Sequence, residues 1–522
     1  MDRKKAKKIR DARIIATNIF MGVMVVLIVF VLMFIAMGYN FNPHGKIDQS
    51  GLVQIFSTPS GASVEIDGDL QFSRTTINKM LSPGDHNFKI TRNGYDSWYN
   101  NFSIESGLLT RIDWVRLFPL QPDYDEPYSF EELETISYSP SRKYLLAHEK
   151  NSNYLLLFNI HGDNIKPTRI NLQSAINSGD KYDAKNDKLA IVSWSNSDSS
   201  VLVRRQNTNG SDWILVNLDK AEDSINLSHN FTLNFSNILF ANDSGSKLWA
   251  IESGKLHEID TSNKTISKTI DNNIEIIANN SNVVAYTKKS AESDGMLDLF
   301  TYKEGDEAPV LIESFKPDAE NTATIVLGTY WNEQWIAIST GKRVTILDGH
   351  YPNYGKDEKS LEISYERDLD FVPTMSTVGN NQRIIVFADK NNFISYDVEN
   401  KSHADSQFDG EISKINWLDS YILWEWKDGN IVIRDFDGNN RREILSGLDN
   451  QLPIVINDSE KWLYFFEITE TIDENSTAAE DSVAEQTEQT EPAEQETPTT
   501  EEQPSQPRPQ IHYILKREKL TI

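Results

Sequence analysis

The sequence predicts an all-β ectodomain on a single N-terminal transmembrane helix. The ectodomain is expected to comprise a small β-sandwich followed by a seven- or eight-bladed β-propeller. Three observations support this prediction: an uncharged apolar run near the N-terminus, short alternating strands soon after it, and strand-rich segments that then recur about every 45 residues. A chain of 522 residues is also too long for one ordinary domain.

The N-terminus has the pattern of a membrane anchor. Residues 1–13, MDRKKAKKIRDAR, are strongly basic, whereas residues 14–38, IIATNIFMGVMVVLIVFVLMFIAMG, carry no charge. A helix of that length extends about 37 Å, enough to cross a hydrocarbon core of about 30 Å. Because a basic flank stays in the cytoplasm, we expect a cytoplasmic segment at 1–13, a transmembrane helix at 14–38 and the bulk of the chain outside. A cleaved signal peptide is the alternative, but the apolar run is too long for one.

Composition excludes several classes of function. The formal net charge of −27 opposes nucleic-acid binding, which needs clustered Lys and Arg to neutralise phosphates. The absence of cysteine excludes disulfides, thiol nucleophiles and cysteine-ligated zinc. The nine histidines form no H-x-x-x-H or H-E-x-x-H pair, and no P-loop, G-x-S-x-G or G-x-G-x-x-G sequence occurs. The sequence therefore predicts no catalytic residue and no cofactor.

A short polar linker is predicted at 39–50, and a compact run of strands at 51–119. Turn signals such as Pro83-Gly84 and Asn93-Gly94 break this run at short intervals, which is typical of a small antiparallel sandwich. Its stretch STPSGASVEIDG contains two carboxylates, Glu65 and Asp67, two residues apart. Because side chains alternate along a strand, both are expected on the face opposite Val64, and Asp67-Gly68 is expected to form the hairpin turn.

The same stretch resembles the PEGA domain, a small extracytoplasmic β module named after its Pro-Glu-Gly-Ala tetrad. This chain has Pro59-Ser60-Gly61-Ala62 at that place, and its segment 81–95, LSPGDHNFKITRNGY, is similar to the family's later strand and Gly-Tyr ending. It departs from the pattern at Ser60, which replaces Glu, and at Thr75-Thr76, where Thr-Pro is usual. The resemblance implies a structural or binding module of a surface protein without catalytic residues. We therefore expect a bacterial cell-envelope protein.

Residues 120–522 are predicted to form the propeller. Similar segments begin near 136, 181, 236, 276, 325, 377, 413 and 454, and each alternates strands with polar turns. This spacing is typical of one four-stranded blade per repeat. Seven blades remain possible if the first and last segments share one blade, and a solenoid is the alternative architecture. The segments ISYSPSRKYLLA (136–147) and IVIRDFDGNNRREIL (431–445) resemble hairpins of TolB-type and WD40-like propellers.

An acidic tract near the C-terminus interrupts this pattern. Residues 470–510 are rich in Glu, Gln, Thr and Pro, and their composition predicts disorder. They precede an alternating segment at 511–520, IHYILKREKL, which has the pattern of a strand. We interpret the tract as a loop inserted before the closing strand of the last blade. Extending a hairpin loop to that length costs only about 2 kcal/mol in closure entropy.

Calcium is the only metal with a candidate site. Asp435, Asp437 and Asn439 begin like an acidic calcium loop, but Asn440 stands where the loop needs Gly and Ser446 where it needs Glu. A blade hairpin turn is therefore the favoured interpretation of these three residues. Calcium elsewhere on the acidic surface is possible but cannot be located from the sequence.

Several tryptophans in the repeats allow two interpretations. They could line an exposed face that binds a ligand such as a carbohydrate, or they could fill the wedges between blades, and we favour the wedges. The candidates are Trp331, Trp335, Trp417, Trp424 and Trp426.

Two hypotheses of function remain. In the first, the protein is non-enzymatic, is attached to the membrane by its helix and presents the propeller to an envelope protein or a glycan. In the second, it is an extracytoplasmic hydrolase of glycans or peptides with its site in the propeller channel, where carboxylates from distant segments could meet. Three or more carboxylate, arginine or histidine side chains converging at the channel mouth would favour the hydrolase.

Overall fold

The computed structural model describes residues 3–36, 38–41, 47–176, 181–208, 210–317, 323–355, 361–427, 429–446, 452–471 and 510–520. The chain divides into two compact units, Met1–Pro122 with the last two residues, and Asp123–Leu520. Most of the predicted acidic insertion, 472–509, lies outside the described residues.

The first unit begins with helix α1 (Arg3–Ala36). Its segment Ala12–Phe34 has a mean hydropathy of 2.7 and is long and apolar enough to cross a membrane. The helix is described as far as Ala36, and Gly38, the predicted limit, has a positive φ of 79° that an α-helix does not allow. The predicted linker differs from the structure, since β1 (Tyr39–Phe41) and β2 (Ile47–Gln49) pair as an antiparallel hairpin within it.

Two small sheets follow and form the sandwich. Its strands are β3 (Gly51–Ile55), β4 (Ser63–Ile66), β5 (Asp69–Arg74), β6 (Ile77–Leu81), β7 (Gly84–Thr91), β8 (Trp98–Ile104) and β9 (Leu109–Ile112). The sheet orders are β6-β3-β9 and β5-β4-β7-β8. The pair β3–β9 is parallel, so the expectation of a purely antiparallel sandwich is wrong. The parallel register sets Ile55 beside Ile112, and both are fully buried in the core.

The turn at Asp67-Gly68 has the predicted form. Asp67 has φ 53° and Gly68 has φ 86°, and the flanking residues Ile66 and Asp69 pair across the hairpin. Glu65 is half-buried on the strand, and Asp67 is exposed. Two positive φ angles at successive positions are what a two-residue hairpin turn requires, and Asp-Gly is among the favoured sequences for it.

The second unit begins with β10 (Tyr124–Phe130), and its first four blades follow in chain order. Blade 1 comprises β11 (Leu133–Tyr138), β12 (Tyr144–Glu149), β13 (Tyr154–Asn159) and β14 (Pro167–Asn171), followed by helix α2 (Leu172–Ile176). Blade 2 comprises β15 (Lys188–Trp194), β16 (Ser200–Asn207), β17 (Gly210–Asn217) and β18 (Ile225–Asn226), followed by helix α3 (Leu227–Phe231). Blade 3 comprises β19 (Phe235–Phe240), β20 (Lys247–Glu252), β21 (Lys255–Asp260) and β22 (Thr265–Ile266). Blade 4 comprises β23 (Ile276–Asn280), β24 (Val283–Lys289), β25 (Leu297–Lys303) and β26 (Val310–Phe315).

The remaining blades complete the ring. Blade 5 comprises β27 (Ala323–Tyr330), β28 (Glu333–Thr340), β29 (Arg343–Gly349) and β30 (Leu361–Asp368). Blade 6 comprises β31 (Met375–Val378), β32 (Ile384–Ala388), β33 (Asn392–Asp397) and β34 (Ser402–Gln407). Blade 7 comprises β35 (Lys414–Trp417), β36 (Ile422–Lys427), β37 (Asn430–Asp435) and β38 (Arg442–Ser446). Blade 8 comprises β39 (Val455–Ile456), β40 (Trp462–Thr471) and β41 (Gln510–Lys519), with β10 as its fourth strand.

The described part of the second unit therefore contains eight four-stranded sheets, one for each repeat in the sequence. Blade 8 combines strands from both ends of the unit, since β41 pairs with β40 on one side and with β10 on the other. The Ile456 N–H of blade 8 donates to the Leu418 carbonyl of blade 7 (3.4 Å), and Asn457 Nδ2 donates to the Ile160 carbonyl of blade 1 (2.9 Å). These contacts close a ring, which a solenoid lacks.

Apolar side chains fill the wedges between neighbouring blades. Between blades 8 and 1, the ring of Phe130 lies 5.8 Å from Phe158 and 6.0 Å from Phe466. Between blades 5 and 6, Trp335 packs against a buried cluster that includes Phe387. Truncating a buried aromatic residue to Ala typically costs about 3–5 kcal/mol, so these wedges stabilise the closed ring.

Candidate functional site

The first strands of all eight blades meet at the channel of the propeller. We call the turns that join the first and second strands of each blade the first turns, and the channel end that they surround the first-turn mouth. Two cavities of about 330 and 320 Å³ lie there and share Asn380. The larger, bordered by blades 1, 6, 7 and 8, is lined by Ile136, Ser137, Tyr138, Ser139, Pro140, Arg142, Asn380, Lys414, Asn416, Trp417, Trp424, Pro453, Ile454 and Val455.

The larger cavity contains a lysine without an acidic neighbour. Lys414 is half-buried at the start of β35, and its Nζ lies 5.5 Å from the centroid of the Trp424 indole. Burial lowers the pKa of the Lys414 amine, and no carboxylate in the described part of the chain offsets this effect. The aromatic face gives partial compensation through a cation–π contact.

Two further polar groups on this lining are buried and make no hydrogen bond. They are the indole N–H of Trp424 and the hydroxyl of Tyr138. Burial, together with the neighbouring Tyr464, holds the pKa of Tyr138 well above its usual range, so the hydroxyl keeps its proton and can act as a donor. Arg142, at a φ of 61° in the first turn of blade 1, donates from Nη1 to the Ile456 carbonyl (3.2 Å). The charged donors in the lining of the larger cavity are therefore Lys414 and Arg142.

The smaller cavity is lined mainly by neutral amides and apolar side chains. Asn280 donates from Nδ2 to Thr329 Oγ1 (2.9 Å), and the Gln382 side-chain oxygen accepts from the Thr329 N–H (2.6 Å). These bonds connect blades 4, 5 and 6 at the mouth and hold the amides in fixed orientations. Its lining residues are Ser193, Trp194, Asn196, Leu239, Phe240, Asn242, Asn279, Asn280, Ser281, Leu327, Val378, Gly379, Asn380 and Gln382.

The charged side chains among these described lining residues are Lys414 and Arg142. No carboxylate or histidine is among them, so the convergence that would favour a hydrolase is not seen in the described linings. What the mouth offers a bound molecule is positive charge, hydrogen-bond donors and aromatic surface.

The structure separates the candidate tryptophans into two groups. Trp335 and Trp424 are 1% exposed, and Trp417 and Trp426 are also buried. An exposed ligand face therefore does not hold for Trp335 and Trp426, because they lie on second strands whose two faces are both covered by neighbouring blades. Trp335 Nε1 donates to the Gln382 carbonyl (3.1 Å), and a Cβ at Gly328 would lie 2.3 Å from this indole. These contacts give it a packing role.

Trp331 is the exception among the candidates. Its side chain is 77% exposed, and it lies on the first turn of blade 5 with a φ of 54°. A bulky residue at positive φ is strained and uncommon, and such strain often marks a functional position. Thr329, two residues earlier, is hydrogen-bonded to Gln382 of the smaller cavity, so Trp331 is placed at the rim of the first-turn mouth.

The calcium candidates form a blade turn in the structure. The Asp435 N–H donates to the Asn439 carbonyl, and the Asn439 N–H donates to Asp437 Oδ1 (3.0 Å). Asp435 is buried, and its Oδ2 accepts from Asn440 Nδ2 (2.9 Å). These carboxylates are therefore engaged by the turn itself. No group of three or more metal-ligating side chains occurs among the described residues.

Buried ion pairs between neighbouring strands were not predicted from the sequence. Arg383 donates to both oxygens of Asp397 (2.9 and 2.7 Å), and Arg434 donates to Glu425 (2.6 Å). Burial raises the pKa of Glu425, and Arg434 acts in the opposite direction. Glu425 and Arg434 lie on the adjacent strands β36 and β37, and Arg383 directly precedes β32, the strand that pairs with β33 of Asp397. Each pair therefore compensates its charges where they are buried.

Comparison with known proteins gave one family match and several similar solved structures. Residues 50–115 match the family model described as the PEGA domain, and the first unit therefore contains a PEGA domain. Among solved structures, the chain is similar to the C-terminal WD40 domain of Sif2 (12% identity, 65% of this chain, 94% of that one, TM-score 0.42). It is also similar to the propeller domain of Myceliophteria thermophila Cps50 (Swd1) (10% identity, 60% and 99%, TM-score 0.39). A third similar structure is apo AztD from Citrobacter koseri (12% identity, 74% and 95%, TM-score 0.38). No curated protein matches the chain.

Proposed function

We propose that the protein is a non-enzymatic binding protein of the cell envelope. In this proposal, α1 anchors the chain in the membrane, the PEGA domain follows outside it, and the propeller binds a partner or glycan through its first-turn mouth. The observation that carries the proposal is the mouth itself, which has two cavities in its lining and an exposed aromatic residue, Trp331, on the first turn of blade 5.

The mouth has properties expected of a binding surface. Exposed tryptophan is rare on protein surfaces unless it contributes to recognition, where it supplies a large contact area at low entropic cost. The first turn of blade 5 joins the paired strands β27 and β28, and Tyr330 pairs with Glu333 on either side of Trp331. The fixed amides below it can exchange hydrogen bonds with peptide or sugar groups.

Attachment to a membrane is supported by the N-terminal helix. The apolar part, Ala12–Phe34, is preceded by a strongly basic stretch of sequence. Such a flank is retained in the cytoplasm, which would place the PEGA domain and the propeller outside. The resemblance of the first unit to an extracytoplasmic module is consistent with this orientation.

The proposal can be tested with the purified full-length chain in detergent. Binding to a glycan array and to immobilised envelope proteins is compared for the wild type and Trp331→Ala. We expect Trp331→Ala to bind with at least about a tenfold lower affinity than the wild type, because truncating a central aromatic contact has an effect of this size. Tyr154→Ala is the matched control, because this half-exposed residue lies on blade 1 at the opposite end of the strands from the first turns.

Two outcomes would contradict the proposal. If Trp331→Ala binds every glycan and envelope protein as strongly as the wild type and Tyr154→Ala do, the first-turn mouth is not the binding surface. If the chain instead cleaves one of the arrayed glycans or proteins and Trp331→Ala does not, the mouth belongs to a hydrolase.

A further inference from the structure

We infer that the larger cavity of the first-turn mouth binds the anionic group of a small organic acid, with Lys414 as the central cation. This inference rests on the proposed binding role of the mouth and names the class of ligand that its larger cavity accepts.

The first step is the unusual electrostatics of Lys414. The protein is strongly acidic, with a formal net charge of −27, and its buried cations generally have carboxylate partners. A half-buried ammonium without a counter-ion destabilises the folded protein, because burial removes the water that solvates the charge and no carboxylate takes its place. An anionic ligand would supply the missing charge. The paired arginines of the same unit are Arg205 with Asp187, Arg383 with Asp397, Arg434 with Glu425, and Arg517 with Asp125.

The second step is the arrangement of donors around this lysine. Strands β35 and β36 pair with Asn416 opposite Trp424 and Lys414 opposite Trp426. Lys414 and Asn416 are two residues apart and therefore share one face of β35 with Trp424 beside them. The Asn416 side-chain oxygen already accepts the Trp417 N–H (2.9 Å), which leaves its amide nitrogen as the group available to donate. Lysine and amide thus supply the donors on this side of the cavity, and Trp424 adds aromatic surface to the lining.

The third step is the contribution of blade 1. Arg142 and Tyr138 come from blade 1, and Arg142 adds a second positive charge to the lining. Its anchoring bond to the Ile456 carbonyl uses one of five guanidinium N–H groups, so the others remain able to bind oxygen atoms of a ligand. An oxyanion between Arg142 and Lys414 would receive charge-assisted hydrogen bonds, which are the strong ones.

The volume of the cavity and its remaining lining residues indicate what the rest of the ligand, apart from its anionic group, is like. A cavity of about 330 Å³ lies at the small end of ligand pockets and suits a small molecule. Apolar atoms of Ile136, Ile454 and Val455 border it, and the amides of the smaller cavity begin at the shared Asn380. An acid with a hydroxyl-bearing body fits both parts. The oxyanion itself could be a carboxylate or a phosphate, since both accept the same donors.

Isothermal titration of the full-length chain in detergent tests this inference with three probes. Glucuronate carries a carboxylate, glucose 6-phosphate carries a phosphate, and glucose is the neutral control. We expect at least one acidic probe to bind about tenfold or more tightly than glucose, with an affinity that falls as salt is added. The stronger acidic probe identifies the preferred oxyanion.

Substitutions show whether the binding depends on the cavity. Lys414→Met should weaken the acidic probe at least about tenfold, and Lys414→Arg should restore part of the affinity. Lys166→Met is the matched control, because Lys166 is an exposed lysine outside both cavities. Acylation of amines followed by mass spectrometry provides a second readout: the acidic probe should protect Lys414 from the reagent and leave Lys166 unprotected.

The outcomes separate this inference from the proposed function. If neither acid binds more tightly than glucose and neither protects Lys414, the anion site is wrong, whereas a retained effect of Trp331→Ala on partner binding would leave the binding face intact. If an acid binds equally to the wild type and Lys414→Met, the site lies elsewhere and the inference is also overturned. If Lys414-dependent acid binding occurs but Trp331→Ala leaves all partner binding unchanged, the inferred site stands and the proposed face fails.

Discussion

Arg517 of the closing strand donates two hydrogen bonds to Asp125 of β10, from Nε at 2.9 Å and from Nη2 at 2.6 Å. The two residues lie at opposite ends of the second unit, and their guanidinium–carboxylate pair joins the strands that complete blade 8. The Arg517 guanidinium also lies 4.1 Å from the centroid of the Trp462 ring. This contact therefore connects the two ends of the propeller chain.

We predict that Arg517→Ala destabilises the full-length protein by about 1–2 kcal/mol. The lost folding free energy has two parts, the ion pair and the packing of the guanidinium on Trp462. The ion pair contributes less than a fully buried one because Asp125 is exposed. Denaturation in urea, followed by tryptophan fluorescence, measures it. Asp125→Asn should cost less, because the packing remains. A midpoint of Arg517→Ala equal to that of the wild type would show that the ring closes without help from this contact.

A second relationship concerns the turn in the PEGA domain. Asp67 Oδ1 accepts the Asn87 N–H (2.9 Å), and its Oδ2 lies against His86 Nδ1. The Asn87 N–H and His86 lower the pKa of Asp67. Burial opposes protonation of His86, but the bonds to Asp67 and to the Ser82 carbonyl outweigh it, and the pKa of His86 is raised. The pair is therefore favoured in its charged form.

This pair predicts a pH window of extra stability. The contribution of Asp67 is present above the pKa of an unfolded aspartate, about 4, and is lost as the pH falls through its lower folded value. The contribution of His86 is present below the unfolded histidine pKa, about 6.5, and is lost as the pH rises through its higher folded value. Both contributions are present together between these limits, so the stabilisation is largest in mildly acidic solution.

Asp67→Asn tests the pair without removing the turn. The amide oxygen can still accept the Asn87 N–H, but the negative charge beside His86 is lost, so the pKa of His86 should fall. Exchange of the histidine C2 hydrogen, resolved by mass spectrometry, reports the pKa of each histidine in the full chain. The histidines of the second unit serve as internal controls. If the pKa of His86 is unchanged in Asp67→Asn, Asp67 does not set the charge state of His86.

Local patterns in the sequence predicted the parts of this fold that depend on neighbouring residues. The repeat spacing predicted one blade per segment because a four-stranded meander is built from sequential hairpins, and Asp67-Gly68 predicted its turn because the requirement for positive φ is local. The parallel pairing of Ile55 with Ile112 could not be predicted, because it joins strands that are distant in the chain. The alternation of side chains along the blade strands also failed to show which tryptophans are accessible, since the second strand of a blade is covered on both faces.

The candidate site escaped prediction for the same reason. Lys414 and Arg142 belong to different blades and line one cavity only when the ring closes. Arg142 lies in the segment 136–147, whose resemblance to a propeller hairpin indicates a fold and no ligand, and Lys414 lies in no recognisable motif and looks like a surface residue. The available signal was indirect: Lys414 alternates with the buried Ile415 and Trp417 on a first strand, and first strands line the channel of a propeller.

Lys414 should reduce the stability of the protein in the absence of a ligand. We predict that Lys414→Met raises the free energy of unfolding by about 0.5–1 kcal/mol, because an uncompensated half-buried charge is replaced by an apolar side chain of similar length. The folded pKa of Lys414 is lowered, so the unfolded chain binds more protons and the wild type gains stability as the pH rises towards the unfolded value, about 10.4. The advantage of Lys414→Met should therefore shrink in that range.

Urea denaturation at neutral pH and near pH 10 measures this difference, with Lys166→Met as the control for removing an exposed lysine. Equal stabilities of Lys414→Met and the wild type at both pH values would contradict the cost that burial places on this amine.

The orientation in the membrane can be tested without background labelling, because the chain contains no cysteine. We predict that Ser60→Cys, at an exposed position of the PEGA domain, reacts with a membrane-impermeant maleimide in intact cells. Lys5→Cys, in the basic N-terminal stretch, should react only after the membrane is permeabilised, because a basic flank stays in the cytoplasm. Labelling is quantified by the mass shift of the purified chain. If Ser60→Cys is protected and Lys5→Cys reacts in intact cells, the topology is the reverse of the proposed one. If the Ser60→Cys chain is instead released from the membrane without residues 1–38, the helix is a cleaved signal.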